Sequence, residues 1–198
     1  HCFHMSQTAG ETSIVKTLHQ GTPFVTLDEV ERKLSDHDLM ICNEREGMCI
    51  AGVFGGLQSG VTMQTTAVFL ESAYFNPMWV RKTARRHGLS TDSSFRFERG
   101  ADPNNTVYVL KRAAMLVKEL AGGEIVGDIV DVYPQPISNY PVTLSYDRIN
   151  TLIGKNIPCD TVKSILASLE IEIVEEKDGV LSLLVPTYRV DVRRDVDV

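Results

Sequence analysis

The sequence predicts an α+β fold in two parts: a mixed-sheet unit with packed helices, followed by a small α+β module. Three observations predict it. Short apolar stretches alternate with Gly, Pro and charged turns early in the chain. Two later helices carry marked ends, and the connector Pro134-Gln135-Pro136-Ile137-Ser138-Asn139 separates them from a compact alternating set of elements.

From Ser13 to Asn43, the stretches Ile14-Val15, Phe24-Val25-Thr26-Leu27 and Leu39-Met40-Ile41 read as short strands. Met48 to Phe54 reads as one buried strand running into Gly55-Gly56, where missing side chains let a ligand or another backbone approach. Ala67 to Phe75 reads as a further strand with one acid, Glu71, in an apolar setting. A helix follows, with Asn76 as N-cap, Pro77 at its first position, and Gly88 closing it behind Arg85-Arg86-His87. Ser90 to Gly100 is expected to be a polar loop. Asp102-Pro103 should open a long amphipathic helix with Val107, Leu110, Ala114, Val117 and Leu120 on one face, ended by Gly122-Gly123, and Glu124 to Tyr133 a last strand.

Beyond the connector, the pattern predicts a strand at Val142 to Leu144 and a short helix around Ile149 to Ile153. A helix started by Pro158-Cys159-Asp160 follows, then a hairpin of Ile171 to Val174 and Val180 to Val185 around Asp178-Gly179. The division is placed at residues 1–137 and 138–198.

Composition narrows the classes. With 43% hydrophobic and 23% charged residues, the 198-residue chain is an ordinary globular sequence able to bury a core. No apolar run approaches the ~20 residues of a membrane span, and no signal peptide is evident, so a cytoplasmic location is expected. A formal net charge of −6 argues against a surface that binds nucleic acid by itself, so any RNA contact should be local or supplied by another part of a complex. The four cysteines are scattered without a CxxC pair and read as reduced thiols. The chain opens on His1-Cys2-Phe3 without an initiator Met and stops in Asp195-Val196-Asp197-Val198, which reads as part of a longer protein.

Three blocks carry a family resemblance. They are Gly52-Val53-Phe54-Gly55-Gly56-Leu57-Gln58-Ser59-Gly60-Val61, Phe69-Leu70-Glu71-Ser72-Ala73-Tyr74-Phe75-Asn76-Pro77, and the nineteen residues from Arg85 to Pro103, which include Leu89-Ser90-Thr91-Asp92-Ser93-Ser94-Phe95-Arg96-Phe97-Glu98-Arg99-Gly100. Together they resemble the editing domain of the beta subunit of bacterial phenylalanyl-tRNA synthetase. His1-Cys2-Phe3-His4 is similar to the family's His-Ala-Phe-Asp stretch, with His4 departing from the acid. Residues from about Tyr140 resemble the next module of that subunit, which is likened to a winged helix.

The resemblance implies hydrolytic removal of tyrosine mischarged onto tRNA-Phe. It also implies an assembly of two alpha and two beta chains, in which the alpha subunit holds the ATP-using core that charges tRNA; ATP is not expected to be used by this chain. The physical need is clear: an apolar pocket for phenylalanine rejects an added hydroxyl by only about a hundredfold. A second site must then offer a buried acceptor that the tyrosine phenol satisfies and a bare ring strands, at roughly 1–3 kcal/mol or more.

On residue type, Glu71 could also face solvent at an edge or pair with Arg85 or Arg86. By resemblance it recognises the tyrosine hydroxyl. Gly55 and Gly56 line the substrate, Thr91 and Ser93 shape the aromatic pocket, and His1 contacts the aminoacyl end. The position of Ser93 is usually Ala in the family. Local sequence alone makes Thr91 a helix cap, and places Cys2 on the opposite strand face from His1. Arg85, Arg86 and His87 either complement a helix dipole or lie near the tRNA end. Asp191 and Asp197 match acids associated with magnesium in the family, a hard cation served by oxygen ligands. With the remaining acids absent, weak or no metal binding is expected.

Overall fold

The structure, a computed structural model, describes residues 1–7 and 12–198. They divide into two compact units, His1–Ala101 with Asn105–Val130, and Asp102–Asn104 with Asp131–Val198. Each is α+β, and the strand pairings among the described residues are antiparallel.

In the first unit, β1 (Cys2–His4) pairs with β8 (Val68–Leu70). A four-stranded sheet runs in the order β2 (Ile14–Thr17), β5 (Leu39–Cys42), β6 (Gly47–Ile50), β7 (Phe54–Gly55). The hairpin of β3 (Pro23–Val25) and β4 (Glu31–Lys33) joins it through a bridge from Thr26 to Gly56. Phe3, Leu34, Met40, Ile50 and Val53 are fully buried and centre the core.

The expected strand from Met48 to Phe54 is two strands. The Val53 N–H donates to the Ile50 carbonyl at 2.9 Å and Gly52 takes φ +69°, so the chain turns back on itself. A side chain at Gly52 would also stand 3.0 Å from both Phe75 and Val80. The strand expected over Ala67 to Phe75 is confined to β8.

Helix α1 (Pro77–Arg86) forms as its end signals predict, with the Asn76 side chain accepting from the Met78 N–H and Gly88 at φ +63°. The expected loop at Ser90 to Gly100 contains a further helix, α2 (Asp92–Phe97). Its start is a capping box built from Thr91 and Ser94 rather than from a Glu or Gln at the third position, which is why composition alone read as loop.

Helix α3 (Thr106–Ala121) starts four residues after Asp102, because Asp102 forms a turn instead, accepting from the Asn104 N–H at 3.0 Å. Its expected apolar stripe is not a core face here: none of its residues is buried, and Leu120 is 81% exposed. The last strand expected over Glu124 to Tyr133 does not form. That segment has no ladder partner among the described residues, and Val126 is 95% exposed.

In the second unit, β9 (Tyr140–Ser145), β10 (Glu172–Lys177) and β11 (Val180–Val185) form a sheet in the order β10-β11-β9. Asp178 and Gly179 both take positive φ, the geometry that a two-residue hairpin of right-handed twist needs. Alternate residues Val142, Leu144, Leu181, Leu183 and Val185 face the core, covered by α4 (Tyr146–Ile153) and α5 (Cys159–Ser168). No helix among the described residues is long and apolar enough to cross a membrane.

Candidate functional site

The site grows from the open end of the β1–β8 ladder. Cys2 pairs with Leu70, so the next pair outward is His1 with Glu71. The Glu71 N–H donates to the His1 carbonyl at 2.8 Å, and the His1 backbone nitrogen donates to the Glu71 carbonyl at 2.5 Å. The two residues therefore oppose each other directly and share one face of the ladder. Two residues along the strand, Phe3 occupies that same face, its ring 4.4 Å from the His1 imidazole and 6.4 Å from Phe69. Cys2 falls on the other face, so no Cys–His pair forms.

Glu71 is thus held among apolar groups, its side chain 17% exposed. Burial pushes its carboxyl above the ordinary carboxylate range. The solvent-facing alternative and the pairing with Arg85 or Arg86 are both set aside by this placement.

Gly55 lies under the same histidine. A methyl group on Gly55 would stand 2.9 Å from Leu27 Cδ1 and 3.0 Å from His1 Cε1, so this glycine lets the imidazole and Leu27 close over bare backbone. Gly56 has a different reason to be glycine. A methyl there would meet the Met48 carbonyl at 2.7 Å and the Phe24 ring at 2.8 Å, which is core packing.

The Thr91 hydroxyl donates to the Val53 carbonyl at 2.6 Å and accepts from the Ser94 N–H at 3.0 Å. It caps α2 and pins that helix two residues from Gly55, as local sequence suggests for such a threonine. Ser93 stands half-buried in the first turn of α2.

Two neighbours carry no signal in the sequence. Leu27 belongs to an ordinary strand-like stretch. The Cys49 thiol, paired in register with Gly55, is pushed up to about 12 by burial and then by the charge of Glu71, so it stays protonated and is no nucleophile. A cavity of about 470 Å³ opens on the Gly56 side, lined by residues including Phe24, Met48, Gln58 and Ser59, but not by His1, Gly55, Glu71 or Thr91. The Ser59 hydroxyl within it already donates to the Met48 carbonyl at 2.6 Å. The chemistry points to the Glu71 end.

Arg86 and His87 are engaged elsewhere. Both reach Asp38, which is fully buried and also accepts from the Thr83 hydroxyl at 2.9 Å and the Ser35 N–H at 2.8 Å. That hub ties the start of β5 to the end of α1, a structural role.

Asp191 and Asp197 do not make a magnesium site as they stand. Asp197 accepts from the Arg194 guanidinium at 2.9 and 3.1 Å and from the Arg194 N–H at 3.0 Å, and the hydrogen bond from the Arg194 side chain holds its carboxyl down to about 2. Asp191 is exposed. Among the described residues no group of three or more His, Cys, Asp or Glu could hold a metal ion.

Comparison with known proteins bears on the same regions. The model of the B3/4 domain family matches residues 1–122, and that of the tRNA synthetase B5 domain matches residues 142–198. Over its whole length the chain is similar to the phenylalanine–tRNA ligase beta subunits of Bacteroides thetaiotaomicron (64% identical), Porphyromonas gingivalis (56%) and Geobacter sulfurreducens (40%). It spans about a quarter of the length of each, 24%, 24% and 25% respectively.

Proposed function

Because this chain belongs to the family of B3/4 domains and carries a tRNA synthetase B5 domain behind it, we propose that it is a segment of a phenylalanine–tRNA ligase beta subunit whose first part hydrolyses tyrosine esters of tRNA-Phe. The editing part comprises residues 1–137, and residues 138–198 form a structural module. The rest of the beta chain, an alpha subunit and the ATP-dependent charging chemistry lie outside this chain.

The observation that carries the reading is the pair His1–Glu71, a shielded carboxylate sharing one ladder face with an imidazole that packs over the bare backbone of Gly55. The carboxylate accepts the tyrosine phenol. Phenylalanine offers no donor and leaves a partly desolvated charge unmatched, an asymmetry that apolar contacts alone do not create. Gly55 lets the His1 ring settle against the strand, where that ring stands over the ester end of the aminoacyl group. Thr91 acts by position, holding α2 against Val53 as one wall.

Hydrolysis needs little from the protein, since an aminoacyl ester is already activated. A water oxygen adds to the carbonyl carbon, the bond to the ribose oxygen breaks, and that oxygen leaves with a proton. The site contributes orientation and donors for the oxyanion. Cys49 takes no part, because its thiol stays protonated. Nothing is routed through magnesium, because Asp197 is already paired with Arg194.

The test is deacylation of tyrosyl-tRNA-Phe and phenylalanyl-tRNA-Phe by the whole ligase. The wild type should clear the tyrosyl ester and spare the phenylalanyl ester, and Glu71→Gln should lose at least about tenfold of that preference, the effect of about 1.4 kcal/mol. Unchanged clearance in the variant removes Glu71 from the role assigned to it.

A further inference from the structure

We propose that the outward faces of α1 and α2 form the docking surface for the single-stranded 3′ end of an RNA, leading it to the site beside Thr91. The inference rests on the editing reading for its substrate, but its observations are separate. From Asn76 to Gly100 the chain has six Lys or Arg and two Asp or Glu, a surplus of four positive charges in a chain of net charge −6. No acid occurs between Asn76 and Thr91.

Not all of these cations are free to act. Arg86 is taken by Asp38. Arg81, Lys82 and Arg85 are exposed on α1 and have no acidic partner among the described residues, and the same holds for Arg96 on α2. Residues three and four apart on a helix share a face, which puts Arg81 and Lys82 over the same strip as Arg85. Four unpaired cations on two helices that pack against each other are a local polyanion site on an otherwise acidic surface.

A second feature selects a single strand over a duplex. Phe95 is 54% exposed, and the Arg99 guanidinium lies 3.5 Å from its ring centroid, so α2 presents a stacked planar pair to solvent. Unpaired bases stack on such platforms, and the bases of a duplex cannot reach them. The platform sits on the helix whose N-cap, Thr91, is bonded to Val53 two residues before Gly55. A 3′ end crossing it arrives at the ester site.

The experiment measures binding of two labelled RNA hairpins, one with a four-nucleotide single-stranded 3′ tail and one blunt, to the chain. Variants are Arg85→Glu/Arg96→Glu, the charge-removing Arg85→Gln/Arg96→Gln, and Phe95→Ala. The tailed hairpin should bind more tightly than the blunt one. Charge reversal should weaken it by tenfold or more and charge removal by less. The slope of log K against log salt should flatten by about 0.7 for every phosphate that no longer meets a cation. Phe95→Ala should cost the tailed hairpin about tenfold and the blunt one little. All three variants should melt like the wild type, since the side chains are exposed.

Equal affinity for the two hairpins, or variants that bind RNA as the wild type does, overturns the proposal. So does selective capture of an acidic peptide in place of RNA. Tyrosine binding is measured in the same samples: its loss of selectivity with RNA docking intact would sink the editing reading alone, and the converse would sink the docking surface alone.

Discussion

His1 and Glu71 oppose each other across the β1–β8 ladder as a hydrogen-bonded pair, so their side chains emerge together on the face that Phe3 and Phe69 make apolar. That pairing sets both the electrostatics of the carboxylate and its cost to the fold.

Replacing Glu71 with Gln should raise stability at neutral pH while impairing recognition of tyrosine. The folded-state carboxyl is raised by burial, so the unfolded chain loses its proton first as pH rises. Wild-type stability then falls, relative to Glu71→Gln, as pH climbs from the ordinary glutamate value through the folded one. Urea unfolding at pH 4 and pH 7.5 checks the sign: the advantage of the variant should be larger at pH 7.5.

The adjacent glycines should respond differently to alanine. At Gly55 the new methyl meets the ends of two side chains, Leu27 and His1, which can shift, so the fold should survive while tyrosine affinity falls by about tenfold or more. At Gly56 it meets the Met48 backbone and the Phe24 ring, and the loss should be about 1–3 kcal/mol of stability. Thermal melts and tyrosine titrations of both variants separate the two.

Asp38→Ala should cost about 3–5 kcal/mol, because Arg86 and His87 lose a buried counterpart. Burial raises the Asp38 carboxyl, but the hydrogen bonds from Ser35, His87 and Thr83 and the charge of His87 outweigh it and hold it below the ordinary aspartate value. Its stabilisation is therefore present above that ordinary value and is lost as pH falls through the folded one. Denaturation curves of wild type and variant should converge in acid.

Thr91→Val keeps shape and removes the hydroxyl that caps α2 and holds Val53. About 1–2 kcal/mol of stability should be lost, read by thermal unfolding.

Where the signals are local, the sequence was enough. Asn76-Pro77 and Gly88 bound α1, and Asp178-Gly179 turns the β10–β11 hairpin, because caps and positive-φ turns are decided within a few residues. Where the outcome depends on partners, it was not. The apolar stripe of α3 and the segment from Glu124 to Tyr133 have the right pattern, but none of the α3 residues is buried and Val126 is left 95% exposed. The turn at Gly52 hid inside a continuous apolar run, since burial on both sides looks the same for one strand as for two. Glu71 and His1 could be named from the resemblance, but that they face each other is a matter of register seventy residues apart. Leu27 and Cys49 join them only through packing, and no residue type announces that.

The most direct measurement is calorimetric binding of free tyrosine and free phenylalanine to the chain, wild type and Glu71→Ala. The wild type should prefer tyrosine by tenfold or more, and Glu71→Ala should bind the two alike, mainly by losing tyrosine. A variant that keeps the wild-type preference for tyrosine would contradict the claim that this shielded carboxylate makes the selection.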